Sequence, residues 1–189
     1  MDCAVRASIV MQREARNAIE DAAALSCNFV KAMRGFAGAV CVVTVADGEQ
    51  RSGFTATSVS SFSAQPPMVV ASMKATSSSA ALLERTRRFG VNLLRADQRA
   101  IAERFTGFRG EEGEARYGDD EWVHISTQGA PLLVESAVAM DCEVDELIVR
   151  HGHLLVIGRV RAVLRDESVP RPLVYWQGRY TAPSHGSER

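Results

Sequence analysis

Two clusters of small hydroxyl residues are the most unusual local composition in this 189-residue chain. The first runs from Gly53 to Ser63, contains Thr55, Ala56, Thr57, Ser58 and Ser61, and precedes Pro66-Pro67. The second comprises Ser72 and the run Thr76, Ser77, Ser78 and Ser79, where a strand pattern gives way to a helical one. Hydroxyls at a helix start add O–H donors to backbone N–H groups that have no partner within the helix, and the combination suits a phosphate. Hydroxyls and amides at a strand end suit the rim of a planar, polar heterocycle. The same composition also serves plain loops, in which serine and threonine close local turns.

Other chemistries find less support. No GxSxG elbow is present, and of His124, His151, His153 and His185 only one pair is close in sequence. His151-x-His153 lacks a recognisable third ligand, so no metal site is expected. Cys3, Cys27, Cys41 and Cys142 form no CxxC pair, which argues against zinc. Cys41 and Cys142 lie in apolar runs and read as small buried hydrophobes of a reducing cytoplasm. The absence of GxGxxG after a strand excludes a Rossmann dinucleotide fold.

The 22 basic and 23 acidic side chains leave a formal net charge of -1, and no field of one sign favours nucleic acid or an anionic membrane. All the basic residues except Lys31 and Lys74 are arginine. Apolar stretches fall short of the ~18 residues of a spanning helix. Arg6, Arg13, Glu14, Arg16, Glu20 and Asp21 leave no signal-peptide core. A cytoplasmic protein is expected.

The elements that must position these residues begin with helical spacing at Met11, Ala15, Ile19 and Ala22, over residues 5–27. Asn28 is a suitable N-cap for a second helix with Phe29, Met33 and Phe36 on one face, ended by Gly35 and Gly38. From Ala39 the pattern is that of strands: 39–46, a turn at Asp47-Gly48, 51–57 and 68–73. A helix over 77–86, a strand over 88–94 and a helix capped by Asp97 and running to Phe105 follow, then a polar loop over 107–120. After Pro131 two long alternating strands carry Val138, Met140, Cys142 and Val144, and then Leu154, Val156, Gly158, Val160, Ala162 and Leu164, before a last strand over 173–176. Such period-two patterns mean antiparallel strands with one buried face. The chain is long enough for one well-buried domain. The fold class is mainly β, a barrel with peripheral helices. Residues 1–27 read as an N-terminal helical extension, 28–181 as the domain and 182–189 as a disordered tail.

An ordered set of motifs then resembles a known family. It comprises Phe29, Met33, Phe36, Ala39-Val40, Val43-Thr44, Gly53 through Ser58, and Ser61-x-Ser63-x-x-Pro66-Pro67. Phe89 through Leu94, Asp97-Gln98, Ala102-x-x-Phe105, Gly129-x-Pro131-x-Leu133, Cys142, His153-x-x-x-x-Gly158-x-Val160 and Tyr180 continue it. Over 28–181 the chain resembles the short-chain flavin reductases, the reductase components of two-component flavin monooxygenases.

The resemblance implies an FMN-binding split β-barrel with Greek-key-like antiparallel strands and surface helices, working as a homodimer. It implies hydride transfer from NADH or NADPH to FMN or FAD, with reduced flavin passing by diffusion to a partner monooxygenase. Carried over, Thr55, Ala56, Thr57 and Ser58 hold the isoalloxazine ring, and Ser61 and Ser72 line its pocket. Lys74, Ser77 and Ser78 meet the phosphate, and Asn92 lies beside the flavin tail. His153 faces the nicotinamide with Tyr180 nearby, and no side chain acts as nucleophile. Two departures stand out: Thr57 replaces a frequent Asn or Ser, and Gly152 replaces a frequent Asp before the histidine. Alternatives are a reductase that keeps its flavin and reduces an acceptor such as a cobalt corrinoid, and a non-catalytic flavin- or heme-binding split barrel.

Overall fold

The computed structural model describes residues 21–168 and 170–184. The strands there are, in chain order, β1 (Gly38–Ala39), β2 (Cys41–Asp47), β3 (Gln50–Ala56), β4 (Ser60–Ala64), β5 (Pro67–Lys74) and β6 (Arg88–Leu93). They continue with β7 (Trp122–Val123), β8 (Leu132–Leu133), β9 (Val138–Arg150), β10 (His153–Arg165), β11 (Val174–Trp176) and β12 (Arg179–Thr181). A helix over 21–33 is α1, and α2 (Ser78–Thr86) and α3 (Arg99–Phe105) follow. The chain divides into two compact units: residues up to Ala37 with Trp176–Gly178, and Gly38–Tyr175 with the residues from Arg179 on.

The larger unit is built on one seven-stranded antiparallel sheet in the order β3-β2-β6-β9-β10-β5-β4. Its two edge strands, β3 and β4, are consecutive in the chain and joined only by residues 57–59. Laid flat, seven strands would hold those edges about 29 Å apart. The steps from Ala56 to Ser60 reach about 14 Å at most. The sheet therefore curls until its ends meet, as the split-barrel expectation requires.

Both faces of β2 are buried. Cys41, Val43 and Val45 enter the core enclosed by the curled sheet, with Phe89, Val91, Cys142, Val144, Leu154 and Val156, and Leu82 and Leu83 of α2 join them. On the other face Val42, with Val40 just before the strand, packs under Ile101, Ala102 and Phe105 of α3, and Tyr117, Leu133 and Leu173 complete that cluster. A strand buried on both sides needs a largely apolar run, and the one polar side chain within the buried part of β2, Thr44, donates its hydroxyl to Pro131 O at 2.5 Å. In the smaller unit the indole of Trp176 donates to Gly35 O at 3.2 Å and Gln177 N donates to Arg34 O at 3.0 Å.

Several expectations are corrected. Helix α1 runs unbroken through Asn28, which is no cap. The part of the first expected helix over 5–20 lies outside the described residues, as do residues 185–189 of the expected tail. Helix α3 starts after Gln98, whose side chain gives no cap bond, while Asp97 pairs with Arg95 at 2.9 Å. The 107–120 segment holds a 3-10 turn over Gly113–Arg116 and buries Tyr117 completely. In β10 the alternation holds at Leu154 and Val156, but register shifts at Ile157/Gly158 and Val160/Ala162 turn Leu164 out to 40% exposure.

Burial pushes the thiols of Cys41 and Cys142 up to about 12, with the Asp141 carboxylate adding to the effect at Cys142. Both stay protonated in the fold but ionise when unfolded above about pH 8.5, so they stabilise below that pH and the contribution is lost as pH rises toward 12. Alkylation followed by mass spectrometry near pH 8 is expected to label exposed Cys27 and spare Cys41 and Cys142 until the protein is denatured.

Candidate functional site

A cavity of about 720 Å³ opens where the two ends of the curled sheet meet. From β3 and its exit come Phe54, Thr55 and Thr57, from β5 Ser72, Met73 and Lys74, and from the start of β10 His153. Helix α2 contributes Ser78 and Ser79 with its cap Ser77, and Phe105, Tyr175 and Tyr180 close a further side.

Each position has a local cause. Ser77 is extended, at φ -75° and ψ 151°, and its hydroxyl oxygen accepts from Ala80 N at 3.2 Å, which starts α2. That bond uses one amide of the first turn and leaves the preceding ones without a helical partner. Ser52 of β3 ties this start to the sheet, with its Oγ 2.8 Å from Ser79 Oγ and 3.3 Å from Ser78 Oγ. Thr55 donates to Ala102 O at 2.6 Å. The hydroxyl of Ser58 accepts from Ser72 N at 3.2 Å and lies 3.1 Å from Ser72 O, which pins the 57–59 corner to β5 through backbone groups.

His153 follows a two-residue turn in which His151 and Gly152 have φ of 48° and 75°. A hairpin loop with both central residues left-handed fits the twist of its strands and favours glycine at its second position, where a carboxylate residue was the family expectation. His153 pairs in register with Lys74, so the imidazole and the ammonium leave neighbouring strands at the same cavity. Burial, then the Glu103 carboxylate and Tyr175, hold the phenol of Tyr180 above its usual range against the opposing pull of Arg99. Tyr180 therefore remains a hydroxyl donor near neutral pH.

Of the residues singled out from sequence, Thr55, Thr57, Ser72, Lys74, Ser77, Ser78, His153 and Tyr180 line one cavity. Ala56 is 6% exposed within the sheet core, Ser58 stands at the corner behind Ser72, and Ser61 lies on β4 opposite Val69, so these three are off the wall. Asn92 is not on this wall either: it is fully buried, donates to Val42 O at 3.1 Å and accepts from Leu133 N at 2.8 Å, so its amide fastens β8.

The sequence reading missed Phe105, Thr106, Phe108, Glu112, Arg116 and Tyr175 as wall residues. The glycines between 107 and 118 marked a loop but gave no sign that Arg116 would hold it to the sheet through the carbonyl of Gly53.

With this geometry in view, the family model of the flavin reductase like domain matches residues 33–184. The chain belongs to that family. An NADH:FMN oxidoreductase of Rhodococcus qingshengii is 36% identical over 156 residues, covering 81% of this chain and 79% of the relative. The reductase subunit of a flavin-dependent monooxygenase of Rhodococcus jostii is 30% identical over 77% of this chain and 72% of its own length. Among solved structures, the flavin reductase of styrene monooxygenase from Pseudomonas putida superposes with a TM-score of 0.74 at 28% identity, covering 85% of this chain and 99% of that one. A flavin reductase domain protein of an Arthrobacter species superposes at 0.76 with 29% identity, covering 86% and 98%.

Asn92→Ala separates the buried role from a flavin contact. Removing the amide leaves Leu133 N without its acceptor, and the expected loss of stability is about 1–3 kcal/mol. Denaturant unfolding is expected to show that loss, while flavin affinity of the folded fraction stays within about twofold of the parent.

Proposed function

We propose that the cavity is the flavin site of an NAD(P)H-dependent flavin reductase that supplies reduced flavin to a partner monooxygenase. The observation that carries this reading is the convergence of α2's hydroxyl-rich start, Lys74 and His153 on one cavity in a flavin reductase-like chain. The donor set fits an FMN or FAD phosphate: Ser77 and Ser78 offer hydroxyls, the first turn of α2 offers amides, and Lys74 adds positive charge. Thr55, Thr57 and Ser72 give the polar wall for the ring system, next to the apolar faces of Phe54 and Met73.

Flavin, when bound, supplies the two-electron chemistry, with NADH or NADPH as the hydride donor. The chain's task is alignment. His153 and Tyr180 stand on the cavity wall where a nicotinamide can be oriented, and neither is asked to form a bond to substrate. Among the described residues no group of metal-ligating side chains occurs, and no helix is long and apolar enough to cross a membrane.

A homodimer is part of the proposal. Strand β10 leaves Leu155, Val163 and Leu164 exposed, apolar surface that a second copy would cover. The domain is taken as 28–181 with 1–27 as an addition to it, and the location is taken as the reducing cytoplasm, in keeping with free Cys27, Cys41 and Cys142.

Ser77→Asp tests the phosphate end without removing the helix cap, because Asp and Ser cap about equally well. The added charge faces the phosphate, so FMN affinity is expected to fall about tenfold or more while riboflavin, which has no phosphate, binds nearly as before. Unchanged FMN affinity in fluorescence titration refutes the assignment. His153→Ala is expected to raise KM for the nicotinamide several-fold with flavin affinity retained. A lower Tm with an unchanged KM would assign His153 to packing alone.

A further inference from the structure

Phe108 lies on the cavity wall with 93% of its surface exposed. Its placement is set by backbone rather than by burial. Gly110 N donates to Gly107 O at 3.2 Å, closing a turn whose end residues have φ of 74° and 88°. Phe108 N donates to Thr106 Oγ1 at 3.2 Å, and that hydroxyl donates to Glu103 O at 2.6 Å. Arg109 pairs with Glu103 on one side. On the other, Arg116 donates to Glu111 O at 2.9 Å and to Gly53 O, and it packs so closely on Gly107 that a Cβ there would meet Nη2 at 3.0 Å. A tightly anchored turn thus places a largely exposed aromatic ring on the cavity wall, and no ring of the described residues stacks on it.

The position of the turn along the cavity indicates what the ring would meet. Gly53, which holds Arg116, adjoins Ser52, which holds Ser78 and Ser79 at the start of α2. Two neighbouring residues of β3 therefore hold the Phe108 turn and the phosphate-directed helix start, and both line the same cavity. A mononucleotide ends at that phosphate, whereas a dinucleotide continues into an adenosine. Purine bases stack on exposed aromatic rings with useful affinity and no need of hydrogen bonds.

We infer that Phe108 is a stacking platform for the adenine ring of a dinucleotide, and that it sets the preference of this protein for a dinucleotide over the matching mononucleotide. The inference rests on the flavin-site reading of the cavity. Adenine can arrive as part of FAD or as part of the nicotinamide donor, so the test has two arms. Parent protein, Phe108→Ala and Phe108→Trp are titrated with FMN and with FAD, and KM is measured for NADH and for reduced nicotinamide mononucleotide.

Phe108→Ala is expected to lower the FAD-to-FMN affinity ratio on the order of tenfold, and Phe108→Trp to restore it. A loss confined to the preference for NADH over its mononucleotide also supports the platform and gives the adenine to the donor. Unchanged ratios in both arms, or an equal loss for FMN and FAD, overturn the inference. The Ser77→Asp titration with FMN and riboflavin reports separately on whether the cavity holds flavin.

Discussion

The connection of residues 57–59 is the constraint on which the rest depends. It joins strands at opposite edges of a seven-stranded sheet, and no flat or gently twisted sheet can satisfy it. Curling the sheet produces an enclosed core, and it brings residues far apart in the sheet order side by side. Thr55 and Thr57 belong to one end of the sheet, and Ser72, Lys74 and His153 to strands near the other. The cavity is the seam between those ends. A change that loosened the corner would therefore damage core and site together.

The hydroxyl residues hold the seam as well as lining it. Ser58 bonds the backbone of Ser72, Ser52 bonds Ser78 and Ser79, and Thr55 bonds the end of α3's first turn through Ala102 O. Each such bond contributes about 1 kcal/mol net, so no single one closes the barrel. The Ser58 and Ser52 bonds cross a joint at which no strand of the described residues pairs continuously, and the Thr55 bond steadies β3 against α3 beside it. The clustering of serine and threonine is thus both a requirement of the fold and a resource for binding.

This double role explains what could be read in the sequence. Strands β2, β6, β9 and β10 showed through apolar runs and alternation because burial on one or two faces dictates those patterns. Strand β4 did not, since Ser60–Ala64 is largely exposed and has no apolar face to advertise. Asn92 is assigned to the flavin tail through the family resemblance alone, whereas a polar side chain buried in an apolar strand demands a partner. The partner is the backbone of Val42 and Leu133, a long-range pairing with no local signal. Segment 107–120 read as a loop because its anchors are Tyr117 buried against β3 and arginines paired with Glu114 and Asp120, none of them periodic. The cavity's hydroxyl side was legible, whereas its aromatic and arginine side was not.

The same arrangement accounts for how such a site could hold a flavin and also release it. Thr55, Ser77 and Ser78 each already have one protein partner, so their oxygens are placed before any ligand arrives. Binding then orders few side chains and loses little rotamer entropy, which favours rapid association. Each placed oxygen has only its remaining hydrogen-bonding capacity for the ligand. On the proposed flavin reading, affinity is spread over several modest contacts plus the charge of Lys74 and the amides of α2. A grip distributed in this way positions a ring system for hydride transfer, and it yields without the concerted breaking of one dominant interaction. That combination is what a protein needs if its product is a reduced cofactor that leaves.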